Sequence, residues 1–177
     1  KKKIFVCGNG GSASIANHFL CDFNKGIKHS SNKKLLPEVI SLSNSVELIT
    51  AISNDINFEE VFSSQLENYS KKNDILILIS SSGRSKNIIN AIKYAKKNNL
   101  KIISFVGFGQ NRYVKNSSNF YLNLNTKNYG LTEDIFQSIR LPFAENSCAI
   151  SGSLFHACLP FPTSSRAQNK ELATITV

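Results

Sequence analysis

Residues 5–23, FVCGNGGSASIANHFLCDF, decide the fold. The apolar residues Ile4 to Cys7 predict a buried strand, Gly8-Asn9-Gly10-Gly11-Ser12 a tight polar turn, and the segment from Ser12 onward a helix. The glycines leave backbone N–H groups uncovered at a helix N-terminus, where the macrodipole favours an anion. The turn therefore suits a phosphate or the polar end of a sugar. Neither the P-loop pattern nor the dinucleotide fingerprint is present, so no nucleotide cofactor is expected. His18 and Asp22 follow at i, i+4, on one helix face.

Further along, Ile75 to Ile79 is apolar without alternation, as in a strand buried on both faces of a parallel sheet. It runs into Ser80-Ser81-Ser82-Gly83-Arg84-Ser85, whose last serine is placed to cap a helix over Lys86 to Asn98. Shorter strands are expected at Glu38–Leu42, Lys101–Val106 and Phe120–Leu124. Helices are expected at Ser45–Ile52, Phe58–Tyr69 and Leu131–Ile139, with Ser53-Asn54-Asp55 as a turn. Strands alternating with helices predict an α/β, three-layer, doubly wound parallel sheet. Ligands of such sheets bind beyond the carboxyl ends of the strands, where both polar clusters fall. From Arg140 the pattern changes. Pro142 predicts a helix break, and residues 140–177 show neither strand nor helix period, so they are expected as an irregular tail after a domain of residues 1–139.

With 177 residues and 41% hydrophobic content, the chain suits one core. No apolar run reaches the roughly 18 residues of a membrane span, and no signal peptide precedes the first strand. The four cysteines (Cys7, Cys21, Cys148, Cys158) form no CxxC pair and fit free thiols in a reducing cytoplasm. A net charge of +9 raises a nucleic-acid partner, but the lysines are scattered over helix ends and turns without interleaved aromatics. Attraction of an anionic substrate, or solubility alone, accounts for the charge better.

Each motif has a plainer alternative. The serine stretch could be a polar turn with an N-cap, against a phosphate cradle of hydroxyls and N–H groups. His18 could be an ordinary surface or core histidine; with Asp22 it could share a metal or move protons. Asn54-Asp55 could be only a turn pair or could recognise hydroxyls. Glu133-Asp134 could merely complement a helix dipole.

Taken together, Cys7–Ala13, His18-Phe19, Asn54-Asp55 and Ile79–Ser85 resemble a SIS (sugar isomerase) domain, and more narrowly its phosphoheptose isomerase branch, over about Lys3 to Ile139. The resemblance implies a flavodoxin-like five-stranded parallel sheet and a homotetramer, or at least a dimer, with sites between subunits. It implies a cytoplasmic aldose–ketose isomerase that supplies heptose 7-phosphate for lipopolysaccharide, capsule or another surface glycan. By position, Ser80, Ser81, Ser82 and Ser85 would hold the phosphate. Asn9, Gly10, Gly11 and Ser12 with Asn54, Asp55 and Glu133 would contact the sugar. Asp22 falls where the family carries its glutamate base, with His18 beside it. Zinc, bound by some members, would use His18, Asp22 and Glu133. The chain departs from the pattern in four ways, the first being Asp22 itself, one methylene shorter than the family's glutamate. Phe136 stands where a histidine often follows the acidic pair, and Leu141 occupies the second catalytic histidine's position, with His156 too distant to replace it. The family's helix before the first strand is also absent. These departures leave a second reading, a catalytically impaired SIS module that binds a sugar phosphate to regulate or scaffold a partner.

Overall fold

The computed structural model describes residues 2–26, 38–109, 111–145 and 171–174. β1 (Lys3–Cys7) leads into α1 (Gly11–Cys21), which widens into a π-helical turn at Asp22–Gly26. β2 (Glu38–Ser41), α2 (Val46–Asp55), a 3₁₀ turn (Phe58–Glu60) and α3 (Ser63–Tyr69) follow. Next come β3 (Ile75–Ser80), α4 (Lys86–Lys97), β4 (Lys101–Val106), α5 (Arg112–Ser117) and β5 (Phe120–Asn123). α6 (Tyr129–Glu145) and β6 (Glu171–Thr174) complete the order.

All pairings are parallel, in the order β2-β1-β3-β4-β5-β6. The first five strands are the flavodoxin-like sheet that the sequence implies. Successive side chains of a strand point to opposite faces, and the core divides accordingly. Phe5, Cys7, Leu76 and Leu78 face Ile88, Ala91 and Ile92 of α4. Ile4, Val6, Ile77 and Ile79 face Ile15, Ala16 and Phe19 of α1 and Phe136 of α6. Both faces of β1 and β3 are thus covered, as their unbroken apolar runs require.

Several expectations need correction. The expected break at Arg140-Leu141-Pro142-Phe143 does not occur, since α6 continues to Glu145. A proline inside a helix removes one hydrogen bond and crowds the carbonyl four residues before it, at a cost of about 3 kcal/mol. Its fixed φ is nonetheless a helical one, and α6 runs through Pro142. Within the stretch expected to be irregular, Glu171–Thr174 pairs with β5 as a sixth strand; the remaining tail, His156 included, lies outside the described residues. The single helix expected over Phe58–Tyr69 is a 3₁₀ turn followed by α3. Asn54 and Asp55 belong to the last turn of α2 rather than to a separate turn. α5, which carries little apolar pattern, escaped the sequence reading. Its signal is Asn111, whose Oδ1 accepts the N–H groups of Tyr113 (3.0 Å) and Val114 (3.2 Å) as an N-cap. Cys7 is buried and Cys21 exposed, both as free thiols. Among the described residues no helix is long and apolar enough to cross a membrane.

Candidate active site

The strand order reverses between β1 and β3, which pair directly. In doubly wound sheets, a crevice opens at the carboxyl ends of the two strands flanking such a reversal. The turn after β1 and the serine loop after β3 meet there.

The β1 turn is shaped by its glycines. A Cβ on Gly8 would lie 2.6 Å from the Ser12 carbonyl oxygen, so the turn closes only without one. Gly10 holds a φ of 56°, in the left-handed region that glycine tolerates. Gly10 is also the N-cap of α1 and brings no side chain to that helix end. The Ser12 N–H donates to the Asn9 carbonyl (3.1 Å) and the Ala13 N–H to the Gly10 carbonyl (2.9 Å). What the helix end offers an anion is therefore its dipole and the glycine backbone rather than a row of open N–H groups. Ser12, by contrast, is buried. Gly8 is strapped on both sides by Ser43, whose Oγ accepts the Gly8 N–H (3.2 Å) and donates to its carbonyl (2.9 Å). Ser41 supports that strap: its Oγ accepts the Ser43 N–H and donates to Asn17 Oδ1 at 2.6 Å.

In the second loop, Ser80 Oγ accepts the Gly83 N–H (3.0 Å) and Ser82 Oγ accepts the Arg84 N–H (3.2 Å). The Ser81 carbonyl accepts from Phe108 N–H (2.7 Å), and Gly83, at φ 62°, is held by Asn111 Nδ2 at its carbonyl (2.7 Å). Ser80 and Ser81 are buried, while Ser82 and Ser85 are half-buried. Ser85 is the N-cap of α4, as expected, but its hydroxyl makes no capping bond, against the expected role. Position and chemistry together leave that hydroxyl suited to a ligand. Arg84 and Lys86 flank the loop. The Lys86 ammonium lies 2.6 Å from Glu59, whose hydrogen bond and charge raise its pKa and hold it charged.

The two loops are joined by Asn87, a residue that the sequence reading missed. Asn9 Nδ2 donates to Asn87 Oδ1 (3.0 Å), and Asn87 Nδ2 donates to Asn9 Oδ1 (2.9 Å). The partners are 78 residues apart in sequence, and an asparagine two positions past an N-cap carries no distinctive signal of its own. α6 closes the crevice from the other side. Its Glu133 carboxylate lies directly against Gly11, and Thr132 lies against Gly107. Glu133 thus reaches the glycine turn, although it sits in the second turn of α6 rather than at the helix start.

Of the remaining expected residues, two lie along α1. His18 is exposed and Asp22 half-buried, with Asp22 Oδ2 shielded from solvent. Asp22 closes α1, its N–H donating to the carbonyls of His18 and Phe19. At about 1.5 Å per residue, the helix carries Asp22 roughly 16 Å from Gly11. Asn54 and Asp55 are exposed at the end of α2 and bond to each other (2.8 Å). Among the described residues no group of three or more His, Cys, Asp or Glu side chains converges to hold a metal. His18, Asp22 and Glu133 therefore do not fit a zinc site in this arrangement.

The sequence pattern of the SIS domain matches residues 1–107. The phosphoheptose isomerase of Campylobacter concisus is 42% identical over 108 residues, covering 61% of this chain and 56% of that protein. The Helicobacter pylori phosphoheptose isomerase (strain 26695) is 45% identical over 105 residues, 59% of this chain and 53% of that one. The chain thus matches a little over half the length of these curated relatives. The solved phosphoheptose isomerase of Neisseria gonorrhoeae superposes with a TM-score of 0.71 at 28% identity, covering 82% of this chain and 75% of that one. That of Francisella tularensis gives 0.68 at 28%, over 81% and 74%.

Proposed function

The chain belongs to the SIS-domain family, and from that premise we propose that it is an aldose–ketose isomerase of phosphorylated sugars. Its substrate is sedoheptulose 7-phosphate and its product D-glycero-D-manno-heptose 7-phosphate, a precursor of surface-glycan heptose made in the cytoplasm. The carrying observation is the meeting of the glycine turn at the α1 N-terminus with the serine loop after β3 at the sheet reversal, the two tied by the Asn9–Asn87 pair. Such a site holds phosphate by N–H groups, hydroxyls and helix dipoles, without a metal. Similarity to phosphoheptose isomerases supports the choice of sugar.

The reaction moves a proton between C1 and C2 through an enediol. We assign Asp22 as the base that takes the proton from C1 and returns it to C2. Glu133 or His18 is the acid for the carbonyl oxygen. Ser80, Ser81, Ser82 and Ser85 take the phosphate, and Asn9, Gly10, Gly11, Ser12, Asn54 and Asp55 the sugar, all within residues 1–139. No step is routed through zinc, whose ligand set does not converge.

The roughly 16 Å between the glycine turn and Asp22 exceeds the reach of a seven-carbon phosphate. A homo-oligomer, tetramer or dimer, answers this: a second copy supplies the base to each cradle. Val46, Ile56 and Phe58 support a covered face, being 69%, 60% and 53% exposed in the single chain.

The test is turnover of sedoheptulose 7-phosphate by the purified chain, with its mass in solution measured in parallel. Aldose formation that persists in chelator, from a species larger than a monomer, is the expected result. Binding without turnover would overturn the isomerase reading. Leu141 at the second histidine's position would then favour a binding module.

A further inference from the structure

We propose that Asn87 is a positioning residue that fixes which way round the Asn9 amide faces the ligand crevice. The backbone N–H of Ile88 can only donate, and it meets an atom of the Asn87 amide at 2.9 Å, which must therefore be the oxygen. That same Oδ1 receives a second bond from Asn9, so the Asn9 atom facing it must be the nitrogen. The reciprocal bond from Asn87 Nδ2 to Asn9 Oδ1 closes the pair. Asn87 is buried, 2% exposed, while Asn9 is half-buried at the mouth of the turn. One amide hydrogen and one oxygen lone pair of Asn9 stay outside the pair. A polarity set by a helix backbone on α4 is thus passed through Asn87 to the turn after β1. The crevice meets an amide of fixed orientation, not one free to flip.

The inference deepens the reading of the crevice as a sugar-phosphate site and rests on it. Asn87 touches no ligand in this scheme. It acts through Asn9 on the sugar end, whereas the phosphate is held by the serine loop. The ratio of sedoheptulose 7-phosphate affinity to inorganic phosphate affinity therefore isolates it from general damage to the cradle.

The experiment measures both affinities by calorimetry for the wild type, Asn9→Ala, Asn87→Ala, the double variant and Asn87→Asp. One hydrogen bond to a sugar hydroxyl is worth about three- to tenfold. Asn9→Ala and Asn87→Ala should each lower the ratio by about that factor, and the double variant by no more than either alone. Asn87→Asp still accepts from Ile88 and from Asn9 Nδ2, but it loses the donor to Asn9 Oδ1 and sets two acceptor oxygens face to face. It should therefore weaken both ligands through its charge and also lower the ratio, because the Asn9 amide is pushed out of its fixed orientation. Equal loss of both ligands in Asn87→Ala, or losses that multiply in the double variant, would overturn the inference. So would a ratio kept at the wild-type value in Asn87→Asp. A wild type that binds both ligands without turnover would sink the isomerase reading yet leave this test standing.

Discussion

Gly11 has no side chain, and that lets the Glu133 carboxylate lie against the turn after β1. A methyl group there would collide with the carboxylate, the movable end of a side chain, and turn it away from the crevice. Gly11→Ala should leave stability within about 1 kcal/mol of the wild type, since alanine is favoured over glycine in a helix by that order. If Glu133 is the acid, turnover should fall ~10²–10⁴-fold with phosphate binding kept; unchanged kcat would remove Glu133 from the reaction. Asp22→Asn keeps the shape and removes the base. It should cost turnover on the same ~10²–10⁴ scale while sedoheptulose 7-phosphate still binds in calorimetry. Unchanged turnover would end the Asp22 assignment. The glycines and serines of the crevice were legible because small and hydroxylic residues cluster directly after apolar strands. Asn87 and Ser43 were not, because their meaning lies in partners 78 and 35 residues away.

At the scale of elements, the pole opposite the crevice is tied by one carboxylate. Asp74 is 3% exposed, yet its Oδ1 accepts the Lys3 N–H (2.9 Å) and its Oδ2 the Lys71 N–H (2.8 Å). Its carbonyl also takes the Lys101 N–H at 2.8 Å, so the starts of β1, β3 and β4 converge on it. Hydrogen bonds to a charged group contribute about 1.5–3 kcal/mol each, and both that meet this carboxylate are partly shielded from water. Asp74→Ala should therefore lower the unfolding free energy by ~2–4 kcal/mol in urea titration, with the KM for sugar phosphate unchanged. A shift in KM without loss of stability would contradict this division of the molecule. Asp74 was visible in the sequence only as the residue before the apolar run of β3. That run itself was plain, because burial on both faces leaves no polar residue to interrupt it. Short α5 was missed because six residues, RYVKNS, give too few turns for an apolar stripe. Its existence depends on the Asn111 cap rather than on a pattern.

Across the whole molecule, the sheet separates where stability is added from where ligand binds. The crevice lies between β1 and β3, and β6 lies beyond β4 and β5 at the sheet edge. All four residues of β5 are buried, and β6 pairs with them from Phe120↔Glu171 to Asn123↔Thr174. Without β6, the N–H and C=O groups on that side of β5 would face water or another chain's edge. The sequence could not announce this strand: four residues of ELAT within an unpatterned stretch become a strand only by pairing with β5. A chain ending at Glu145 should keep the five-stranded core and its α/β circular-dichroism signature. Each lost ladder bond is worth about 1 kcal/mol net, so the unfolding midpoint should correspond to ~2–4 kcal/mol less stability. Its affinity for inorganic phosphate should match that of the full chain, since neither cradle loop touches the edge that changes. Equal stability of the two chains would show that β6 adds nothing to the sheet. Lost phosphate affinity at full helical content would show that edge and crevice are coupled through β4 and β5, and that the site extends beyond the sheet reversal.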